Sequence, residues 1–174
     1  LVFSLFENVA FSDGSPMTAD DVVFTFERAM NPDPTVSAVS GTLALVESVK
    51  ALDDLTVEFT TKSYSNELLD TLMGRPLSIQ SRAAYEDSNN KTPWLVGTGP
   101  YVFDEWKEGQ YVRYVRNENY WNSDSGMADE IVFKPLLEAS QRVIALQNGE
   151  IDVCIDPPAT ELQYLDEDKN ITLW

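Results

Sequence analysis

Residues 11–30 read Phe11-Ser12-Asp13-Gly14-Ser15-Pro16-Met17-Thr18-Ala19-Asp20-Asp21-Val22-Val23-Phe24-Thr25-Phe26-Glu27-Arg28-Ala29-Met30. The stretch begins as the end of a strand, turns at Asp13-Gly14 and opens a helix at Thr18. Threonine is a good N-cap, and Asp20 and Asp21 place carboxylates in the first turn, at the positive end of the helix dipole. Asp21, three residues after Thr18, approximates a capping box with Asp in the usual Glu or Gln position. Val22, Phe26, Ala29 and Met30 recur at helical spacing and give one apolar face. Asn31-Pro32-Asp33-Pro34 ends the helix, because proline cannot continue it and restrains the residue before it.

Working outward, residues 1–7 alternate well enough for a strand. Residues 35–45 are rich in Ser, Thr, Gly and Val and predict at most a short helical turn. Residues 46–51 and 56–60 predict two strands joined around Asp53-Asp54. A short helix is expected over 66–73, with Leu68, Leu69 and Leu72 as its apolar side and Gly74 as its stop. Residues 77–81 suit a buried strand, and the polar run 86–93 is the best linker candidate. Residues 101–106 and 111–116 frame Lys107-Glu108-Gly109-Gln110 as a hairpin. Further strands are expected at 130–134 and 151–155, around a helix at 138–148 whose apolar residues are Val143, Ile144 and Leu146 and which Gly149 ends. Pro157-Pro158 leads into a short helix near 160–165, and residues 171–174 begin another strand.

The chain has 174 residues, 43% hydrophobic and 24% charged, which are globular values. Its net charge is −17, from 29 acidic and 12 basic residues. Such a surface repels phosphate backbones and anionic lipid headgroups, so neither nucleic acid nor insertion into a membrane is expected. No apolar run approaches a membrane span. There is no histidine, which removes Ser-His-Asp and Cys-His machinery and the usual zinc ligand sets. The single cysteine, Cys154, excludes an intrachain disulfide and reads as a buried structural thiol within an apolar run. The opening at Leu1 lies within a strand pattern, with no signal peptide ahead of it, so the chain is expected to be a fragment.

Several motifs have plain structural explanations. Gly97-x-Gly99 is followed at once by Pro100, with Val102 where a nucleotide loop needs its third glycine, so it reads as a turn. Asp166-x-Asp168-x-Asn170 starts like a calcium loop but has Ile171 where glycine is required. Asp20-Asp21 is accounted for by helix capping and Asp53-Asp54 by a turn, not by paired catalytic carboxylates. Trp94, Trp106, Tyr120 and Trp121 read first as core rather than as ligand-stacking residues. Asn90-Lys91-Thr92 and Asn170-Ile171-Thr172 match the glycosylation sequon by pattern.

The segment 11–30 resembles a signature of the extracytoplasmic solute-binding proteins of the peptide/nickel class of ABC importers. Phe11, Asp13, Gly14, Pro16, Thr18, Ala19, Asp21, Val22 and Arg28 all fit it. Three later blocks follow in the order that family shows: Gly97-Thr98-Gly99-Pro100-Tyr101, then Arg116-Asn117-Glu118-Asn119-Tyr120-Trp121, then Gly149-Glu150-Ile151-Asp152 at the end of a helix. The resemblance covers essentially the whole chain. It implies an α/β fold of the periplasmic-binding-protein type (class II, peptide-binding), with mixed sheets and flanking helices. It also implies a first-lobe fragment: a small subdomain at 1–95, part of a larger one at 96–174, and a second lobe absent.

The same resemblance implies non-catalytic capture of an oligopeptide, dipeptide or similar small solute. Delivery would be to the transmembrane permease subunits of an ABC importer, outside the cytoplasmic membrane, in a periplasm or on a lipid anchor. No cofactor, no metal and no catalytic residue are expected. The ligand cleft would be faced by residues 35–42 and 73–78, which nominate Ser37, Ser40, Gly41, Thr42, Arg75 and Ser78 as ligand-binding positions. Arg75-Pro76-Leu77-Ser78 departs from the Arg-Pro-x-Arg of the nickel-type branch at Ser78, and Phe6 replaces the arginine that many members carry there. The alternatives are a metal-dependent hydrolase using Asp or Glu, which the lack of histidine and of a nucleophile motif disfavours, and a peptide sensor feeding a signalling receptor.

Overall fold

Three strands, β1 (Val2–Ser4), β2 (Val46–Asp53) and β3 (Thr56–Thr61), form a sheet in the order β1-β3-β2 in the computed structural model, which describes residues 1–33, 35–122 and 128–173. All its pairings are antiparallel. The β2–β3 turn is shaped by Asp53, whose carboxylate accepts the Leu55 N–H at 2.9 Å. That bond, and the Thr56 hydroxyl after it, hold the Asp53 carboxyl below its usual range. β1 is longer in its hydrogen bonding than in its named span, since Leu5 N–H reaches Leu55 O at 2.8 Å and Phe59 N–H reaches Leu1 O at 2.8 Å.

The helix α1 (Ala19–Ala29) covers this sheet. Thr18 is its N-cap in extended conformation, and the Asp21 carboxylate accepts the Thr18 backbone N–H at 2.9 Å, as a capping box requires. Ala19, Val22, Phe26 and Ala29 are buried against Val46, Val49, Val57 and Phe59, with Leu43, Leu68 and Leu77 closing the cluster. Phe26 meets Phe59 edge-on at 4.8 Å between ring centroids. Burial of an apolar side chain of this size contributes about 1.5–3 kcal/mol. A further bond from Ala19 N–H to Asp54 O, at 2.8 Å, ties the start of the helix to the β2–β3 turn.

The remaining elements are short. A 3-10 turn spans Ser40–Leu43; α2 is Leu68–Leu72; a second 3-10 turn spans Arg75–Leu77; α3 is Arg82–Glu86; a third 3-10 turn spans Pro93–Leu95. β4 (Tyr101–Lys107) and β5 (Tyr111–Arg116) form the expected hairpin with Gly109 at φ +70°, and β6 (Glu130–Phe133) completes a second sheet in the order β4-β5-β6. The helix α4 (Ala139–Gln147) ends in a Schellman motif: Gly149 stands at φ +69°, and Glu150 N–H reaches Ala145 O at 2.8 Å. A 3-10 turn at Ala159–Glu161 leads into α5 (Leu162–Asp166). The chain groups into two compact units, Leu1–Glu105 with Arg113–Ile131, and Trp106–Val112 with Val132–Trp174.

Several sequence expectations are corrected. Residues 77–81 are not a strand: Leu77 closes the turn Arg75–Leu77, and beyond it the Thr25 side chain of α1 takes the place of a ladder partner for Gln80, as Asp21 does for Arg82. Residues 151–155 and 171–173 are irregular, and Trp174 lies outside the described residues. Cys154 is half-buried rather than buried. Leu69 and Ile144 are exposed, because α2 and α4 bury narrower faces than their apolar content suggests. Gly74 stops α2 without left-handed backbone; a Cβ there would stand 3.1 Å from Thr71 O. Trp94, Trp106 and Trp121 are exposed and not core.

Candidate functional site

The loop that leaves α1 is built by short polar side chains folding back on their own backbone. Asp33 accepts the Thr35 hydroxyl at 2.7 Å and the Thr35 N–H at 2.9 Å, and these bonds hold its carboxyl below the usual range. Ser37 is buried; its hydroxyl donates to Ala29 O at 2.6 Å, capping a carbonyl left free at the end of α1, and accepts the Val39 N–H at 3.2 Å. Thr42 is exposed and donates to Val39 O at 2.7 Å. Ser40 and Gly41 begin the 3-10 turn, with open space above Gly41. Ser78 is exposed, and Arg75 begins the turn Arg75–Leu77.

The two loops expected to face a ligand border one cavity. Val36, Ser37, Ala38 and Val39 from the first loop and Pro76 from the second line a space of about 210 Å³, together with Thr25, Arg28 and Ala29 of α1 and Gln80. Among the nominated side chains that the structure describes, only Ser37 lines it. Ser40, Gly41, Thr42 and Ser78 stand elsewhere on these loops. Arg28, Thr25 and Gln80 escape nomination from sequence. Arg28 is legible only as the end of a helix motif, and nothing local marks Gln80.

Thr25 and Asp21 fix the wall of this cavity. The Thr25 hydroxyl donates to Asp21 O at 2.8 Å and accepts the Gln80 N–H at 2.9 Å. The Asp21 carboxylate accepts the Arg82 N–H at 2.9 Å. Arg28 lies over the Tyr85 ring at 4.5 Å, and Arg82 makes a two-oxygen contact with Asp20 at 2.6 and 2.8 Å, which raises the Arg82 pKa.

Two of the later sequence blocks meet the first one at a different place. Asn117 is buried, donates through Nδ2 to Gly99 O at 2.8 Å and through its backbone to Pro100 O at 2.9 Å, and accepts the Asn119 N–H at 3.0 Å. Ser12 N–H reaches Gly97 O at 2.8 Å, and Asn119 Nδ2 reaches Ser12 O at 3.4 Å. The motif residues therefore act as a hydrogen-bonded joint between three distant segments. Phe6 stacks on Trp121 beside it, at 5.1 Å and 16°.

The second unit has its own larger cavity, about 830 Å³, lined by residues 146–173 and including Asp152, Cys154, Asp156 and Asp168. Among the described residues no group of three or more Cys, Asp or Glu side chains is placed to hold a metal ion, and no helix is long and apolar enough to cross a membrane.

Comparison with known proteins places this arrangement. Residues 1–173 match the family described as "Bacterial extracellular solute-binding proteins, family 5 Middle". The chain is 31% identical to oligopeptide-binding protein AppA of Bacillus subtilis, over 96% of this chain and 32% of that protein. It is 32% identical to heme-binding protein A of Haemophilus influenzae, over 94% and 32%. Among solved structures it resembles the ABC transporter-associated periplasmic binding protein DppA of Helicobacter pylori in complex with the peptide STSA, with TM-score 0.78, 30% identity and coverage of 97% of this chain and 37% of that one. The chain thus spans about a third of the length of the curated relatives it matches. Its fold, its ordered sequence blocks and this match agree: the chain belongs to the family 5 bacterial extracellular solute-binding proteins.

Proposed function

We infer that the protein containing this chain is the substrate-binding component of an ABC importer. It captures an oligopeptide, a dipeptide or a similar small solute outside the cytoplasmic membrane and hands it to permease subunits, without chemical change. The observation that carries the reading is the family match across residues 1–173, joined to a fold shared with a peptide-bound relative at TM-score 0.78. The chemistry of the chain supports it. It has no histidine, and the loop-lined notch on α1 has one cation and several backbone groups, a set suited to orienting a solute rather than activating water.

Within this reading, residues 1–95 and 96–174 are subdomains of a first lobe, and the segments 35–42 and 73–78 with Ser37, Ser40, Gly41, Thr42, Arg75 and Ser78 border the solute. A ligand bridging two lobes favours the closed form, and the closed form docks on the permease. The mature protein sits in a periplasm or on a lipid anchor at the outer face of the cell membrane.

The test is fluorescence or calorimetric titration of the protein expressed from its full reading frame against a di-, tri- and oligopeptide library. Saturable binding with the peptide recovered intact by mass spectrometry is expected. Hydrolysed peptide, or no binding across the library, overturns the reading. The 174-residue chain alone is expected to bind no library member tightly, because one lobe cannot enclose a solute.

A further inference from the structure

Arginines in this acidic chain are heavily used. Arg82 pairs with Asp20 at 2.6 Å, Arg113 with Asp104 at 2.6 Å and Arg116 with Asp129 at 3.3 Å, while Arg142 donates to the carbonyls of Leu136, Leu137 and Asp156. Among the described arginine side chains Arg28 alone makes no ion pair and no hydrogen bond. Its guanidinium carbon lies 4.5 Å from the centre of the Tyr85 ring and 5.9 Å from that of the Phe24 ring. A cation–π contact of this kind uses the charge and spends none of the guanidinium N–H donors on an acceptor oxygen.

The wall of the same cavity supplies a second free donor. Gln80 is half-buried, and its backbone N–H is fixed by Thr25, yet its side-chain amide has no partner among the described residues. The hydroxyls of Thr25 and Ser37 are spent on backbone groups, so Arg28 and Gln80 are the uncommitted polar side chains of this space. We propose that Arg28 and Gln80 form a carboxylate-binding subsite in the cavity between α1, residues 36–39 and Pro76, and that it receives the carboxylate end of the captured solute. The identity of the carboxylate's bearer rests on the solute-capture reading above; the subsite itself does not.

A planar guanidinium and a primary amide lining one cavity can together offer N–H donors to both oxygens of a carboxylate. A phosphate dianion fits less well. Arg28 sits in the last turn of α1, where the helix dipole is negative, and the chain carries −17 overall. That field penalises a second negative charge and favours a solute that is itself cationic elsewhere, as a zwitterionic peptide is. The volume of about 210 Å³ is several times that of a water molecule and has room for a carboxylate head with its neighbouring atoms.

The experiment is an NMR titration of the 174-residue chain with N-acetylglycine and, in parallel, its neutral analogue N-acetylglycinamide at equal ionic strength. Saturable shifts of the Arg28 Nε–H, the Gln80 side-chain amide and the Val36–Val39 backbone N–H groups are expected with the acid and not with the amide. R28Q is expected to weaken the acid about tenfold or more, as loss of a charge-assisted bond does, and Q80L several-fold. Should R28Q fail to fold, the acid-against-amide contrast in the unmutated chain and the Q80L titration decide. Equal shifts from both probes, or none at Arg28 and Gln80, overturn the subsite. If the full-length protein captures peptides and R28Q leaves its preference for free-acid over C-terminally amidated peptides unchanged, the subsite fails while the solute-capture reading stands. Acid-specific shifts here, with no peptide captured by the full-length protein, retain the subsite and sink that reading.

Discussion

The Asp21 carboxylate accepts the backbone N–H of Arg82 at 2.9 Å, across 61 positions of sequence, while its other oxygen accepts the Thr18 N–H that opens α1. One buried side chain thus caps a helix and docks the segment that carries Gln80 against it. Substituting Asp21→Ala leaves two backbone donors without partners. The expected loss is about 2–4 kcal/mol in urea unfolding. Asp21→Asn, which keeps one acceptor oxygen, is expected to lose about half as much. Equal stability of D21A and the unmutated chain would remove Asp21 from this role.

Asn117 makes the corresponding joint among the sequence blocks. Asn117→Ala is expected to destabilise by about 2–3 kcal/mol, because Gly99 O and the Asn119 N–H lose their partner in a buried place. Asn117→Asp does not rescue it, since a carboxylate cannot donate to Gly99 O. Thermal melts of the two variants measured together check this. Recovery by the aspartate would show that donation to Gly99 is dispensable.

At Gly149 the cost is conformational alone. The residue stands at φ +69°, and no atom lies within 4 Å of the place a Cβ would take, so Gly149→Ala meets no clash but strains the left-handed backbone. The expected loss is about 1 kcal/mol. A drop of that size in urea unfolding, without change in spectroscopic helix content, is the predicted result.

The depressed carboxyls of Asp33 and Asp53 set a sign for the acid side of the stability curve. A carboxyl whose folded pKa lies below its unfolded value stabilises the fold fully above the unfolded pKa, and that contribution is lost as pH falls through the folded pKa. Their NMR titration midpoints should therefore lie below the ordinary aspartate value. Replacing Asp53 by Asn removes a contribution present at neutral pH and lost in acid, so it should lower the neutral plateau toward the acid value and flatten the acid limb of stability. A midpoint at or above the ordinary value would contradict the hydrogen bonds drawn from Thr35 and Leu55.

With 29 acidic against 12 basic residues, self-repulsion opposes the folded state at low ionic strength. Raising salt from about 0.1 M to about 1 M shortens the screening length from about 10 Å to about 3 Å, so the melting temperature should rise over that interval. Sodium chloride and potassium chloride should act alike, which separates screening from specific ion binding. A flat or falling melting temperature would show that ion pairs, not repulsion, dominate the surface.

Features governed by short-range physics were legible in the order of residues. The cap at Thr18, the turn at Asp53, the β4–β5 hairpin and the glycine stop at Gly149 each depend on residues within a few positions of one another, and each forms where periodicity and turn chemistry place it. The four ordered blocks point to the family for a related reason: local backbone demands impose the same residue types at the same places. Other features exist only once distant segments have met. Residues 77–81 have strand-like composition, but Thr25, 55 positions away, accepts the Gln80 N–H, and Asp21 accepts that of Arg82 next in the chain, where a neighbouring strand would have paired. The same long-range contacts bring Gln80 to one cavity with Arg28, and leave Ser40, Gly41, Thr42 and Ser78 outside it. Which donor ends up spent and which stays free depends on partners distant in the chain, and no pattern of neighbours encodes that choice.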